Sequence, residues 1–155
     1  MVGLITAQST HVEQPHSEKS ENVSRVEDQE RCDLLDWEYV QNTFVESDLM
    51  HIFYDSIPEF THQSRVLVTG LRVAFHKGDD LAVRRLVHAL KGLSGLLGAK
   101  RLQRKLLDFE QLETAHERCQ AEQLLCEIEL TVEQTITFLT NHFRQGWKLR
   151  GESEK

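Results

Sequence analysis

The chain has 155 residues, a formal charge of −7, 39% apolar side chains and only two prolines, which allows one sizeable buried core and favours helices over a sheet. It holds no run of about 18 apolar residues, so no segment is expected to span a membrane, and Met1-Val2-Gly3-Leu4-Ile5-Thr6-Ala7 is too short an apolar run, without a basic flank, for a signal peptide. Cys32, Cys119 and Cys126 have neither the pairing of a disulfide framework nor metal-ligand spacing, which fits a reduced, cytoplasmic setting.

Residues 1–33 are rich in Ser, Glu, Gln, His and Asn and lack apolar periodicity after Ala7, the composition of a segment that cannot offset its ordering entropy. They read as a disordered acidic extension. The first 36 residues hold eight acids against three bases, so the part that folds is much closer to neutral. A short helix is expected from Asp36, its cap, to about Phe44, with Trp37, Val40 and Phe44 on one face covering an end of the fold. The next helix opens near Ser47 or Asp48 and carries Leu49, Ile52, Phe53, Ile57, Phe60, Val66, Leu67, Leu71 and Phe75 to a stop at Gly78. Pro58 inside it implies a kink, a missing backbone bond or a break.

Asp79 or Asp80 caps a third helix running to about Leu97, with Leu86, Leu90, Leu93 and Leu97 as its apolar stripe, and Gly98 lets it end or bend. A fourth starts near Ala99 and presents Leu102, Leu106 and Phe109 before the polar stretch at residues 117–120. The last runs from about Ala121 to Phe143 on Leu124, Leu125, Ile128, Val132, Ile136, Leu139 and Phe143, with Gly146 and a charged tail ending it. The expected fold is all-α: an up-and-down antiparallel four-helix bundle over residues 34–145, a short accessory N-terminal helix, and a charged C-terminal tail at 146–155.

His88 is the residue to explain. At about 100° per residue it lies on the far side of the third helix from Leu86 and Leu90, with Arg84, Arg85, Lys91 and Gly92 one turn away. Gly92 and Gly95 follow on its side, although a glycine inside a helix costs about 1 kcal/mol relative to alanine. Between Leu81 and Leu107 there are seven basic residues and no acid: Arg84, Arg85, Lys91, Lys100, Arg101, Arg104 and Lys105. An electropositive face around one exposed imidazole expects an anion. A neutral imidazole is a nucleophile at pH 7, Lys91 could neutralise phosphoryl oxygens, and the glycines leave room for a donor. Ser94, beside the apolar seam, is better placed to bond a backbone carbonyl than a phosphate.

The segment His88-Ala89-Leu90-Lys91-Gly92-Leu93-Ser94-Gly95-Leu96-Leu97-Gly98-Ala99 resembles the signature of histidine-containing phosphotransfer (HPt) domains, roughly H-x-L-K-G-S-S-x-x-L-G-A. Leu93 departs from it, standing where the family usually has a small residue. The resemblance implies attack on phosphorus through Nε2 of His88. It also implies that Nδ1 is oriented by a Glu or Gln 22 residues on, which is Glu110, with Gln111 next to it if the register slips by one. By the same resemblance the chain is a phosphocarrier, not an enzyme. The resemblance implies that it takes a phosphoryl group from a receiver-domain aspartyl phosphate and relays it to a response-regulator receiver. The partners it implies are the receiver domains of hybrid histidine kinases and response regulators, with any Mg²⁺ expected in the partner and no cofactor or metal expected on this chain. Arg84, Arg85, Gly92, Gly95 and Arg101 are the expected docking residues, on a monomer.

The rival from a different class is a non-transferring bundle that binds or sequesters a receiver through the basic face, for which Leu93 is the motive. A kinase dimerisation helix pair is disfavoured because no ATP-binding region follows, and no P-loop or dinucleotide fingerprint occurs. The other histidines show no metal-binding spacing. Nucleic-acid binding is disfavoured by the acidic balance and the absence of aromatics on the basic face.

Overall fold

The structure is a computed structural model that describes residues 33–113 and 116–151, with side chains to Phe143. The extension expected before Asp33 and the final four residues lie outside the described part. A short helix α1 (Trp37–Val40) widens into a π-helical turn over Gln41–Val45, and four further helices follow: α2 (Met50–Lys77), α3 (Asp80–Leu96), α4 (Lys100–Gln111) and α5 (Arg118–Gly151). Each of these four packs on the next in chain order and α5 closes on α2, which makes the antiparallel up-and-down bundle that the apolar pattern predicts.

The helix boundaries follow local chemistry. The Asp36 carboxylate accepts from the Tyr39 amide at 3.1 Å and the Asp79 carboxylate from the Ala82 amide at 3.1 Å, so both expected caps operate. Gly78 takes the left-handed conformation at φ 70° and ends α2, with its own amide and that of Asp79 returning to the carbonyls of Phe75 and Ala74. Pro58 causes no break, and α2 is one helix through it. α5 begins three residues before Ala121 and continues past Gly146 to Gly151.

The core is built from Phe53, Phe60, Leu71, Val87, Leu90, Leu102, Leu106, Phe109, Leu125, Ile128, Val132 and Leu139, all essentially inaccessible. On α3 the stripe is rotated from the one expected. Val83, Val87, Leu90 and Ser94 are buried, while Leu86 and Leu93 sit half-covered on its shoulders. The leucines mark the stripe by size, but valines close to the bundle axis fill it. Ser94 donates to the Lys91 carbonyl at 2.9 Å, as read from its position, and the buried Thr131 and Thr135 donate to carbonyls four residues back, so none is left unpaired.

α1 covers one end of the bundle. Phe44 and Phe143 meet Phe53 edge-on at 5.1 and 5.0 Å between ring centroids, and Trp37 lies against Phe138 and His142. The same helix is tied to the α3–α4 turn: the Asp36 amide donates to the Gly98 carbonyl at 2.7 Å and the Tyr39 hydroxyl to the Leu96 carbonyl at 3.2 Å.

Charged rungs cross the α2–α5 seam. Arg65 bonds Glu133 through two nitrogens at 2.9 and 3.0 Å, Arg72 reaches both Glu129 and Glu122, and His76 also meets Glu122 at 3.1 Å. Half-exposed pairs of this kind add little net stability and serve to fix the antiparallel register. The Arg65 hydrogen bonds hold the Glu133 carboxyl below its ordinary range. Burial pushes Glu122 up, but the bonds from His76 and Arg72 more than offset it. A carboxyl lowered in the folded state contributes stability above its unfolded pKa and loses it as the pH falls through the folded one. The urea midpoint is therefore expected to hold from neutrality to about pH 5 and to drop below about pH 4. Glu133→Gln should blunt that drop.

Candidate functional site

α3 carries His88 on its outer face. The imidazole is exposed, and among the described residues it has no hydrogen bond, so its lone pair is available to a visitor. Val87 and Leu90 on either side are buried and hold the helix down, so the nucleophile projects from a rigid element rather than a loop.

Around it the acid-free stretch does not form one face. Arg84 and Arg85 are exposed and have no ion pair among the described residues, and Lys100 likewise has none. Arg101 bonds Asp33 at 3.1 Å and is only 20% exposed. Arg104 holds the other oxygen of the same carboxylate at 2.8 Å, and Lys105 pairs with Glu127 of α5. These three lie about 100° to 160° around α4 from the residues that face α3, so they serve the α4–α5 side and the segment before α1. An uninterrupted basic run in sequence is split in two by the turn at Gly98. Arg101, an expected docking residue, is thereby committed to Asp33.

The two glycines near His88 also differ. A side chain at Gly92 would meet nothing within 4 Å, whereas one at Gly95 would come within 3.1 Å of the Gln103 side chain on α4. Gly92 thus keeps open surface beside the imidazole, and Gly95 lets the α3–α4 pair close. Gly92→Ala fills only solvent and should stabilise the fold by about 1 kcal/mol, the helix propensity difference, read as a higher urea midpoint. Whether it also slows loading of His88 tests if that clearance is used by a partner.

Lys91 and Glu110, both expected near the imidazole, are brought together with each other. Lys91 Nζ lies 2.7 Å from Glu110 Oε2, joining α3 to α4, and the described hydrogen bonds give Glu110 no contact with His88. Gln111 lines a cleft with Arg84, Val87, Glu110 and His116 and makes no hydrogen bond to the ring. Leu93 is half-buried against the core, on the opposite side of α3 from His88, so its bulk does not narrow the approach to the imidazole.

What the sequence reading did not single out is the apolar rim. Leu81 and Leu96, about two turns either side of His88, are 60% and 64% exposed, and Leu107 on α4 is also open. Their spacing from His88 was the available signal, but leucines in a helix are first assigned to a core.

A bundle whose His88 imidazole stands unpartnered on a rigid outer face, with open cations and a glycine a turn away, agrees with the comparison to known families, in which the Hpt domain matches residues 55–138, just over half of the chain. The chain belongs to the Hpt domain family. Hpt domains act in histidine phosphotransfer within phosphorelays, interact with receiver domains and have no kinase activity of their own. No curated protein and no solved structure gives a match to this one. The Hpt match spans most of α2, all of α3 and α4, and most of α5, and leaves α1 outside it. Among the described residues of this Hpt protein there is no helix long and apolar enough to cross a membrane, and no group of three or more side chains placed to hold a metal ion.

Proposed function

We infer that this Hpt domain is a phosphorelay intermediate that takes a phosphoryl group from the aspartyl phosphate of one receiver domain onto His88 and passes it to another. The exposed, unpartnered imidazole of His88 on a core-anchored helix carries this reading. Nε2 attacks phosphorus in line with the departing aspartate: the N–P bond forms as the P–O bond breaks, and the electron pair leaves on the carboxylate. The ring keeps its proton on the other nitrogen and is cationic until that proton is lost to water. The reverse sequence loads the second receiver.

Three groups assist. Lys91, one turn from His88, neutralises phosphoryl oxygens once it leaves Glu110. Arg84 and Arg85 attract the acidic, Mg²⁺-bearing pocket of the receiver, and the metal stays with that partner. Leu81, Leu96 and Leu107 supply dry contact around the charged centre, the usual anatomy of a transient interface. We place this exchange in the cytoplasm.

The test is to incubate the full chain with a phosphorylated receiver and Mg²⁺, then map the label. Acid-labile, alkali-stable phosphate confined to the peptide containing His88 supports the relay. Stable binding of competent receivers without label leaves the sequestering module as the better account.

A further inference from the structure

The Lys91–Glu110 pair has a consequence for the energy of the carrier. Of the cations a turn from His88, Arg84 and Arg85 have no acidic partner among the described residues, whereas Lys91 is already neutralised by a carboxylate at 2.7 Å. Both side chains are about a third exposed, at 30% and 38%, so the pair is neither buried beyond exchange nor fully hydrated. The ammonium sits one helical turn from the imidazole, within reach of a group attached there. A phosphoryl group on His88 brings close to two negative charges to that spot and finds one of the three cations a turn away already paired.

We propose that Glu110 is a competing anion for Lys91 that weakens the hold of His88 on the phosphoryl group and so favours onward transfer. This rests on His88 being the phosphate carrier. Glu110 is then a positioning residue acting through Lys91, not an orienting acceptor for the ring. In the unloaded protein it holds Lys91 against α4. On loading, the ammonium must leave a carboxylate to reach the phosphoryl oxygens, and the carboxylate it leaves stays nearby as an uncompensated negative charge. Both effects raise the free energy of the loaded carrier relative to the unloaded one. A glutamine at this position would place no charge in competition.

The experiment measures the equilibrium ratio of phospho-His88 to phospho-receiver, approached from both directions, for the native chain, Glu110→Gln, Lys91→Met and the double variant, each checked for an unchanged melting profile. Glu110→Gln is expected to raise the ratio about fivefold, the weight of one unit charge at contact distance in a water-exposed site. Lys91→Met should lower it, and in that background Glu110→Gln should lose most of its effect, because the competition is over Lys91. A ratio unchanged or lowered by Glu110→Gln, or a rise of the same size with and without Lys91, overturns the proposal while leaving His88 as carrier. A native chain that takes no label overturns both.

Discussion

The His88→Gln chain should accept no phosphate from any receiver that loads the native protein. Glutamine keeps the length and hydrogen-bonding capacity of the side chain and is at least as good a helix former, so the backbone has no reason to change. Because the imidazole is exposed and unpartnered among the described residues, its removal leaves no buried group orphaned, and the unfolding midpoint should stay within about 0.5 kcal/mol of native. The expected result is therefore complete loss of acid-labile label with unchanged stability and unchanged receiver binding. Residual label on the variant would mean that another of the eight histidines accepts phosphate and that the reading of α3 is wrong.

Gly98→Ala should have the largest effect on the fold. Gly98 has φ +67°, where a side chain costs about 1–2 kcal/mol, and an added methyl would lie 2.6 Å from Cδ1 of Tyr39. The ring must move, and with it goes the Tyr39 hydroxyl bond to the Leu96 carbonyl, worth about 1 kcal/mol. A total loss of about 3 kcal/mol follows, or a melting temperature lower by roughly 10 °C. Gly78→Ala is the control: its φ is +70° but nothing lies within 4 Å, so it suffers the backbone strain alone and should lose about half as much. Equal losses at the two glycines would show that α1 does not press on the α3–α4 turn.

Much of this architecture is legible in the order of residues because helices repeat with a short period. The caps at Asp36 and Asp79, the stop at Gly78 and the stripe of α5 all depend on neighbours within a turn or two, and each appears where the pattern puts it. The readings that changed depend on what another helix brings. Arg101, Arg104 and Lys105 look like part of the His88 surface until Asp33 and Glu127 are seen to take them. Glu110 is the residue that the family resemblance assigns to the ring, yet in the fold it meets Lys91. Leu93 seems to crowd a partner only while its direction is unknown. Pro58 is the opposite case: of the kink, missing bond or break that a proline implies, the break does not occur, and α2 continues through it.

The ladder of Arg65, Arg72 and His76 on Glu133, Glu129 and Glu122 lies across the α2–α5 seam, the edge of the ring opposite the α3–α4 seam where His88 stands. Salt screens exposed charges within about 8–10 Å at physiological strength, but it screens these two regions to different ends. At the ladder the attraction only sets a register that the buried side chains already enforce, so added electrolyte leaves the scaffold standing. At Arg84 and Arg85 the charge is unspent and acts at a distance, on a partner still in solution. Ionic strength therefore sets how often this protein meets its receivers without altering what they meet.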